Sequence, residues 1–267
     1  MTQLSNVASA ADKVEGQPVL QNGARAGYAL NGVLHLMIAW IALQIAWTAS
    51  GKSADQSGAL QTLAGSSLGR LALWSAVLGF LALGLWQLAS AVAVRTRGKS
   101  SQWADKIKGI SKAVVYLALA WTSFSFAKGQ PSSSKSQSAD FTATLLQHPG
   151  GRLLVAVIGL VIIGVGTYHV VKGWTKKFLT DLSENPGRLA TRAGVIGYIA
   201  KGIALALVGV LFVTAASQNS ASKATGLDGA LRSLRQQAFG PWLLTAVGLG
   251  IAAYGLYSFA RARHARV

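Results

Sequence analysis

Five stretches of this chain carry no Lys, Arg, Asp or Glu over roughly the thickness of a bilayer: Arg25 to Lys52, Arg70 to Arg95, Arg152 to Lys172, Lys201 to Lys223, and Arg235 to Arg261. A helix rises about 1.5 Å per residue and needs about 20 apolar residues to cross the hydrocarbon layer. Each stretch therefore predicts one spanning helix. A sixth, Ala113 to Ala127, is bounded closely by Lys112 and Lys128, whose ammonium groups must snorkel outward for it to span. Runs such as Leu153 to Val165 show no polar alternation, so the strands of an outer-membrane barrel are excluded and helices are left to satisfy the backbone in lipid. The expected fold is all-α: a polytopic membrane protein of six transmembrane helices. Composition agrees, since 267 residues at 51% hydrophobic and 12% charged are too apolar for a chain whose whole surface is wetted.

The formal net charge of +17 would suit nucleic acid if the basic residues shared one folded face. They sit instead at the ends of the apolar runs. Seventeen of the 25 fall in the N-terminal segment, in Arg95 to Lys112, in Lys172 to Lys201, and at Arg261, Arg263 and Arg266; the other three loops hold eight. The positive-inside rule then places both termini in the cytoplasm, with the basic ends attracted to anionic lipid headgroups and no nucleic acid involved. Residues 1–24 are polar and include Asp12, Lys13 and Glu15 with no apolar core before a cleavage site, so they are expected to be a disordered cytoplasmic tail rather than a signal peptide. Cysteine is absent, which removes disulfides and thiolate metal sites.

Internal repetition is the next constraint. Gly69, Gly151 and Gly240 each precede by fifteen residues a second glycine, Gly84, Gly166 or Gly255, and two residues later stands an aromatic, Trp86, Tyr168 or Tyr257. The preceding helices share a register too: Gly27-Tyr28 and Gly197-Tyr198 are followed three residues after the tyrosine by Asn31 and Lys201, and Lys112 holds that place in the middle copy. The chain reads as three tandem two-helix hairpins, 25–98, 104–182 and 188–267. Because each has an even number of spans, all insert with one orientation, and a pseudo-threefold bundle is expected. Small faces such as Gly202 with Ala206, and Gly248 with Ala252, are packing signals. In the outer loops, Gly58-Ala59-Leu60 and Gly229-Ala230-Leu231 lie eleven residues before Gly69 and Gly240, where the middle copy has Asp140-Phe141-Thr142. Leu227, Leu231 and Leu234 fall on one face of a short amphipathic helix, expected to rest apolar side down in the headgroup layer or, alternatively, to cap a partner.

Arg25-Ala26-Gly27-Tyr28, Gly197-Tyr198-Ile199-Ala200-Lys201-Gly202, and Leu227-Asp228-Gly229-Ala230-Leu231-Arg232-Ser233-Leu234 running on to Phe239-Gly240 resemble the bacterial, mainly actinobacterial, membrane family called domain of unknown function 1206. The resemblance covers residues 25 to 260 and implies a two-helix unit carried three times in a bacterial plasma membrane. It implies no activity. The middle copy departs most, lacking the Gly-Tyr pair and the Gly-Ala-Leu turn.

No Asp or Glu falls inside any expected span, which disfavours proton- or sodium-coupled transport. Three groups of residues stand out as candidates. Asn31, Lys112 and Lys201 form a symmetric polar set that would either snorkel, the reading preferred for the lysines, or line a positive vestibule. His35 lies about midway along the first helix with Tyr116 and Leu205 in its equivalent places, so it is either functional or a hydrogen bond between helices. His169 takes the position held by Gln87 and Ser258, a set expected to be solvated at the interface. Trp40 and Trp121 occupy equivalent places deep in their helices and are read as packing residues. No nucleophile is paired with a base, two histidines without Asp, Glu or Cys make no metal site, and no glycine-rich phosphate loop is present, so neither an enzyme nor a cofactor is expected. The leading expectation is an accessory subunit that packs against a larger membrane complex; the alternative is a passive conduit or a module binding lipid or an anionic ligand along the pseudo-threefold axis.

Overall fold

A computed structural model describes residues 18–48, 51, 53–93, 99–130 and 133–264. Among these the elements are all helices: α1 (Pro18–Trp47), α2 (Gln56–Ala64), α3 (Ser67–Ala93), α4 (Lys99–Ala127), α5 (Ser134–Leu146), α6 (Gly151–Trp174), α7 (Arg188–Ser217), α8 (Gly226–Arg235) and α9 (Gly240–His264), with 3-10 turns at Lys177–Asp181 and Ala221–Lys223. Six of them are long and apolar enough to cross a membrane, over Gly27–Trp47, Ser67–Leu88, Gly109–Ala127, Gly151–Trp174, Arg188–Ser217 and Gly240–His264. This is a polytopic all-α membrane protein. α1 begins at Pro18, so residues 18–24 of the expected disordered tail are helical; proline's fixed φ suits a first helical position. Residues 1–17 and 94–98 lie outside the described residues.

The described helices form two compact units. In the first, comprising Leu60–Ser132, α3 and α4 run antiparallel. A β-carbon on Gly84 would stand 2.8 Å from Leu117 Cδ2, and one on Gly109 would stand 2.8 Å from the Ala91 β-carbon. Phe80 stacks on Tyr116 with centroids 6.4 Å apart.

The second unit, Ala24–Ala59 with Ser133–Arg266, holds α1 and α5 through α9. Gly159, Gly166 and Gly173 recur every seven residues and so line one face of α6. A β-carbon on Gly159 would stand 2.8 Å from the Gly209 carbonyl oxygen, one on Gly166 2.7 Å from that of Gly202, and one on Gly173 2.9 Å from the Tyr198 β-carbon. α6 and α7 are thus antiparallel and pressed backbone to backbone, which only the missing side chains permit. α9 packs on α7 at Gly197, whose β-carbon would lie 2.5 Å from Tyr254 Cα, and on α1 through Gly255 and Gly32, each carbonyl 2.9 Å from where the other's β-carbon would be.

The close crossings therefore join successive repeats as well as hairpin partners: α3 meets α4, α6 meets α7, and α9 at the end of the third repeat meets α1 at the start of the first. Their register is the same in each case. The second glycine of the repeat lies against Leu117, against Gly202 and Ala206, or against Gly32 and Leu36. These partners follow Lys112, Lys201 and Asn31 at equal spacing.

At the end of this unit remote from Arg261, α8 corrects an expectation. Leu231 and Ala230 are fully buried, Leu231 with Ile45 and Leu244 of α1 and α9, Ala230 with Val155 and Ala215 of α6 and α7. The apolar face of α8 is turned onto the bundle instead of into headgroups, because four helix ends leave apolar surface that it covers more completely than lipid would. A polar contact ties it there: Asp228, which accepts Arg232 Nε of its own helix at 2.9 Å, also accepts the Ala54 backbone N–H at 2.8 Å. Beside it Arg152 of α6 caps α7, donating to the carbonyls of Ala216 (2.7 Å) and Ser217 (2.5 Å) in its last turn. Asp55 caps α2 by accepting the Gly58 N–H at 2.9 Å.

Candidate functional site

Chemistry-bearing side chains gather at the other end of the second unit, where α1, α7 and α9 meet the segment that follows α6. That segment turns at Lys176, a non-glycine residue at φ 57, and its 3-10 turn drives Phe178 into the bundle. Phe178 is 0% exposed, stacks on Tyr198 at 5.2 Å, meets Tyr257 edge-on at 5.0 Å, and accepts the Tyr257 hydroxyl through its own carbonyl at 3.3 Å. Gly194 makes room, since a β-carbon there would lie 2.5 Å from the Phe178 ring. Tyr198 in turn meets Tyr254 edge-on at 5.2 Å. Stacked and edge-to-face pairs of this kind add about 0.5–1.5 kcal/mol each beyond burial.

Cations rim the aromatic cluster. Lys201 Nζ lies 4.2 Å from the centre of the Tyr254 ring, the Arg261 guanidinium 4.4 Å from that of Tyr28, and Lys172 Nζ 5.6 Å from that of Tyr198. One carboxylate oxygen, Asp181 Oδ2, serves two of them: Lys172 at 2.7 Å and Arg261 at 3.6 Å. Asp181 thereby ties α6 to α9. The Ser183 N–H adds a 2.8 Å bond to the His264 carbonyl, so residues 177–183 form a strap across the helix ends.

Of the residues singled out in the sequence, Asn31, His35 and Lys201 come together here. Asn31 Nδ2 donates to Ser258 Oγ at 3.1 Å. Asn31 also accepts, through its backbone carbonyl, the His35 Nδ1–H at 2.8 Å; a carbonyl only accepts, so Nδ1 carries the proton and Nε2 is left uncommitted among the described residues. The His35 ring lies 4.7 Å from that of Tyr254, whose face Lys201 also covers. Lys201 is thus turned between helices rather than outward, in contrast to the snorkelling preferred from sequence. Tyr254 supplies the reason, an aromatic face that attracts an ammonium. Lys112 lies on α4, in the other unit, and is exposed.

Ser258 is 1% exposed and also donates to the Tyr254 carbonyl at 2.9 Å, so this position is a buried hydrogen-bonding link and not an interfacial group. His169 is half-buried, donates Nδ1–H to the Val165 carbonyl at 2.8 Å, and stacks on Tyr198 at 5.8 Å. The landmark aromatics differ in use: Tyr257 is fully buried, Tyr168 is exposed and Trp86 is intermediate. The first glycines are alike: Gly69, Gly151 and Gly240 are all buried, each turning tightly out of the preceding outer helix. Trp40 and Trp121, expected to pack, are 63% and 69% exposed. Phe178, Asp181, Tyr254 and Arg261 are the members of the site that sequence reasoning misses. Tyr254 has no repeat mate, since Val165 and Leu83 stand in its place, and only the two acids between these spans, Asp181 and Glu184, could have pointed to this segment.

The model of one protein family matches the chain three times, over residues 26–93, 107–176 and 196–265, which bracket α1 with α3, α4 with α6, and α7 with α9. The chain belongs to the family described as Domain of Unknown Function (DUF1206). It is similar to a protein of Bacillus subtilis (strain 168) described as "Uncharacterized protein YxxB", 27% identical over 253 residues that span 92% of this chain and 91% of that protein. No solved structure matches. Neither the DUF1206 description nor that of the relative names an activity.

Proposed function

We propose that this DUF1206 protein is a non-catalytic accessory subunit of the bacterial plasma membrane, with both termini in the cytoplasm, that docks its spanning helices against a larger membrane complex. One observation carries the reading: Trp40 and Trp121, at the same place in two repeats and deep in their spans, both point away from their own helix packing. Tryptophan prefers the headgroup belt, where its N–H finds a partner. At mid-depth, a second protein surface serves that ring better than acyl chains do. Glycine supports the same reading, since Gly79 and Gly164 lie within spans with nothing within 4 Å of where a β-carbon would be, leaving notches that suit a partner helix. The conduit alternative draws less support, because the crossings of α6 with α7 and of α9 with α1 are closed by carbonyl-on-glycine contacts.

A photo-crosslinking residue placed at position 40 or 121 in intact cells tests the proposal. The expected result is one and the same membrane protein cross-linked from both positions, and its loss from mild-detergent purifications when both tryptophans are replaced by leucine. Cross-links to lipid alone would refute it.

A further inference from the structure

We infer that Lys201 is the charged floor of an anion site, built by α1, α7 and α9, that takes an oxyanion of the phosphate or carboxylate type. Lys201 is half-buried on α7, at the boundary of the apolar run that it precedes. An ammonium there that turns inward between helices, away from the interface, is costly unless its charge is answered. Nothing among the described residues answers it: the ion pairs run from Lys172 and Arg261 to Asp181, from Arg232 to Asp228, and from His264 to Glu184, and none reaches Lys201. Its ammonium rests on the Tyr254 face, which leaves three N–H donors without an acceptor among the described residues.

The surroundings keep the local charge positive. Lys172 and Arg261 divide one carboxylate between them, so two cations face one anion on the strap side of the same aromatic cluster. The other polar groups at hand that can donate to an oxyanion are the Tyr254 hydroxyl and the Asn31 side-chain amide beside Ser258; His35, its Nδ1 proton given to the Asn31 carbonyl, presents only the Nε2 lone pair and takes no part. An ordinary snorkelling lysine would lay its stem along lipid. Lys201 instead lies across α9, pinned over a ring that is itself buried. The inference is independent of whether the protein docks on a larger complex.

The oxyanion has two possible sources, a lipid phosphate or a free anion, and the test separates them. Full-length protein is placed in phosphatidylcholine nanodiscs, in which inorganic phosphate is titrated, and in nanodiscs containing phosphatidylglycerol; Tm and retained lipid by native mass spectrometry are read for each. Lys201→Met and Lys201→Arg are compared with Lys112→Met, which removes the equivalent but exposed charge. Comparing increments within each variant keeps the result independent of its own starting stability. The inference expects a Tm increment from phosphate or from phosphatidylglycerol that Lys201→Met loses, with the half-point for phosphate displaced about tenfold or more, as for a lost charge-assisted hydrogen bond. Lys201→Arg and Lys112→Met retain it. An increment from the lipid alone assigns a headgroup, and from phosphate alone a free ion. No increment in either arm, or equal increments in the native protein and Lys201→Met, overturns the site.

Discussion

Lys112 and Lys201 occupy the same position in successive repeats, yet one is exposed on α4 while the other is folded over an aromatic ring between α7 and α9. The helices around them differ in the same sense. Where α6 meets α7, glycine faces backbone at Gly159 and Gly166; where α3 meets α4, Gly84 receives the Leu117 side chain. A shared register thus sets where helices cross, and the residues filling each crossing decide whether it is a backbone contact, a side-chain contact or a polar site. Duplication supplied the frame, and substitution at particular positions specialised one end of it.

The largest expected effect tests the specialised end. Phe178→Ala removes a fully buried ring that fills the space left by Gly194, and should cost about 3–5 kcal/mol, read as a lower unfolding midpoint in detergent, with faster proteolysis of the strap. Second, Gly202→Ala should cost about 1–3 kcal/mol because its β-carbon would lie 2.5 Å from the Gly166 carbonyl, whereas Gly84→Ala should cost less, because the Leu117 side chain can rotate away. Equal losses at both positions would break the distinction between backbone and side-chain crossings. Third, Asp181→Asn should cost about 1 kcal/mol, a partly exposed pair being weakly coupled, and the loss should shrink as salt is raised. Smallest is Lys112→Gln, expected to change stability by less than about 0.5 kcal/mol.

How far the sequence foretells this structure follows from which forces act locally. Six spans are legible because lipid demands unbroken apolar length, and even the short run beside Lys112 forms the span Gly109–Ala127. The repeat register is legible because Gly84, Gly166 and Gly255 sit at matching distances from their neighbours. What those glycines touch is not, since spacing along a chain does not say which helix lies opposite. The burial of α8 is hidden for a related reason: an amphipathic face reads the same whether it meets headgroups or helix ends. Asn31, His35 and Lys201 are each visible as polar residues in apolar runs, but Tyr254, the ring that His35 and Lys201 share, looks like one more interfacial tyrosine until α9 is set beside α1 and α7.

The central claim is that the last helix of the third repeat packs against the first helix of the first, in a bilayer. The chain has no native cysteine, so a disulfide between Asn31→Cys and Ser258→Cys, positions whose side chains lie 3.1 Å apart, reports on it directly in isolated membranes. The account predicts rapid oxidation of this pair, and none for Leu30→Cys with Ser258→Cys, Leu30 facing outward on the same helix. Failure of the first pair to form in membrane-embedded protein, or equal cross-linking of both, would contradict it.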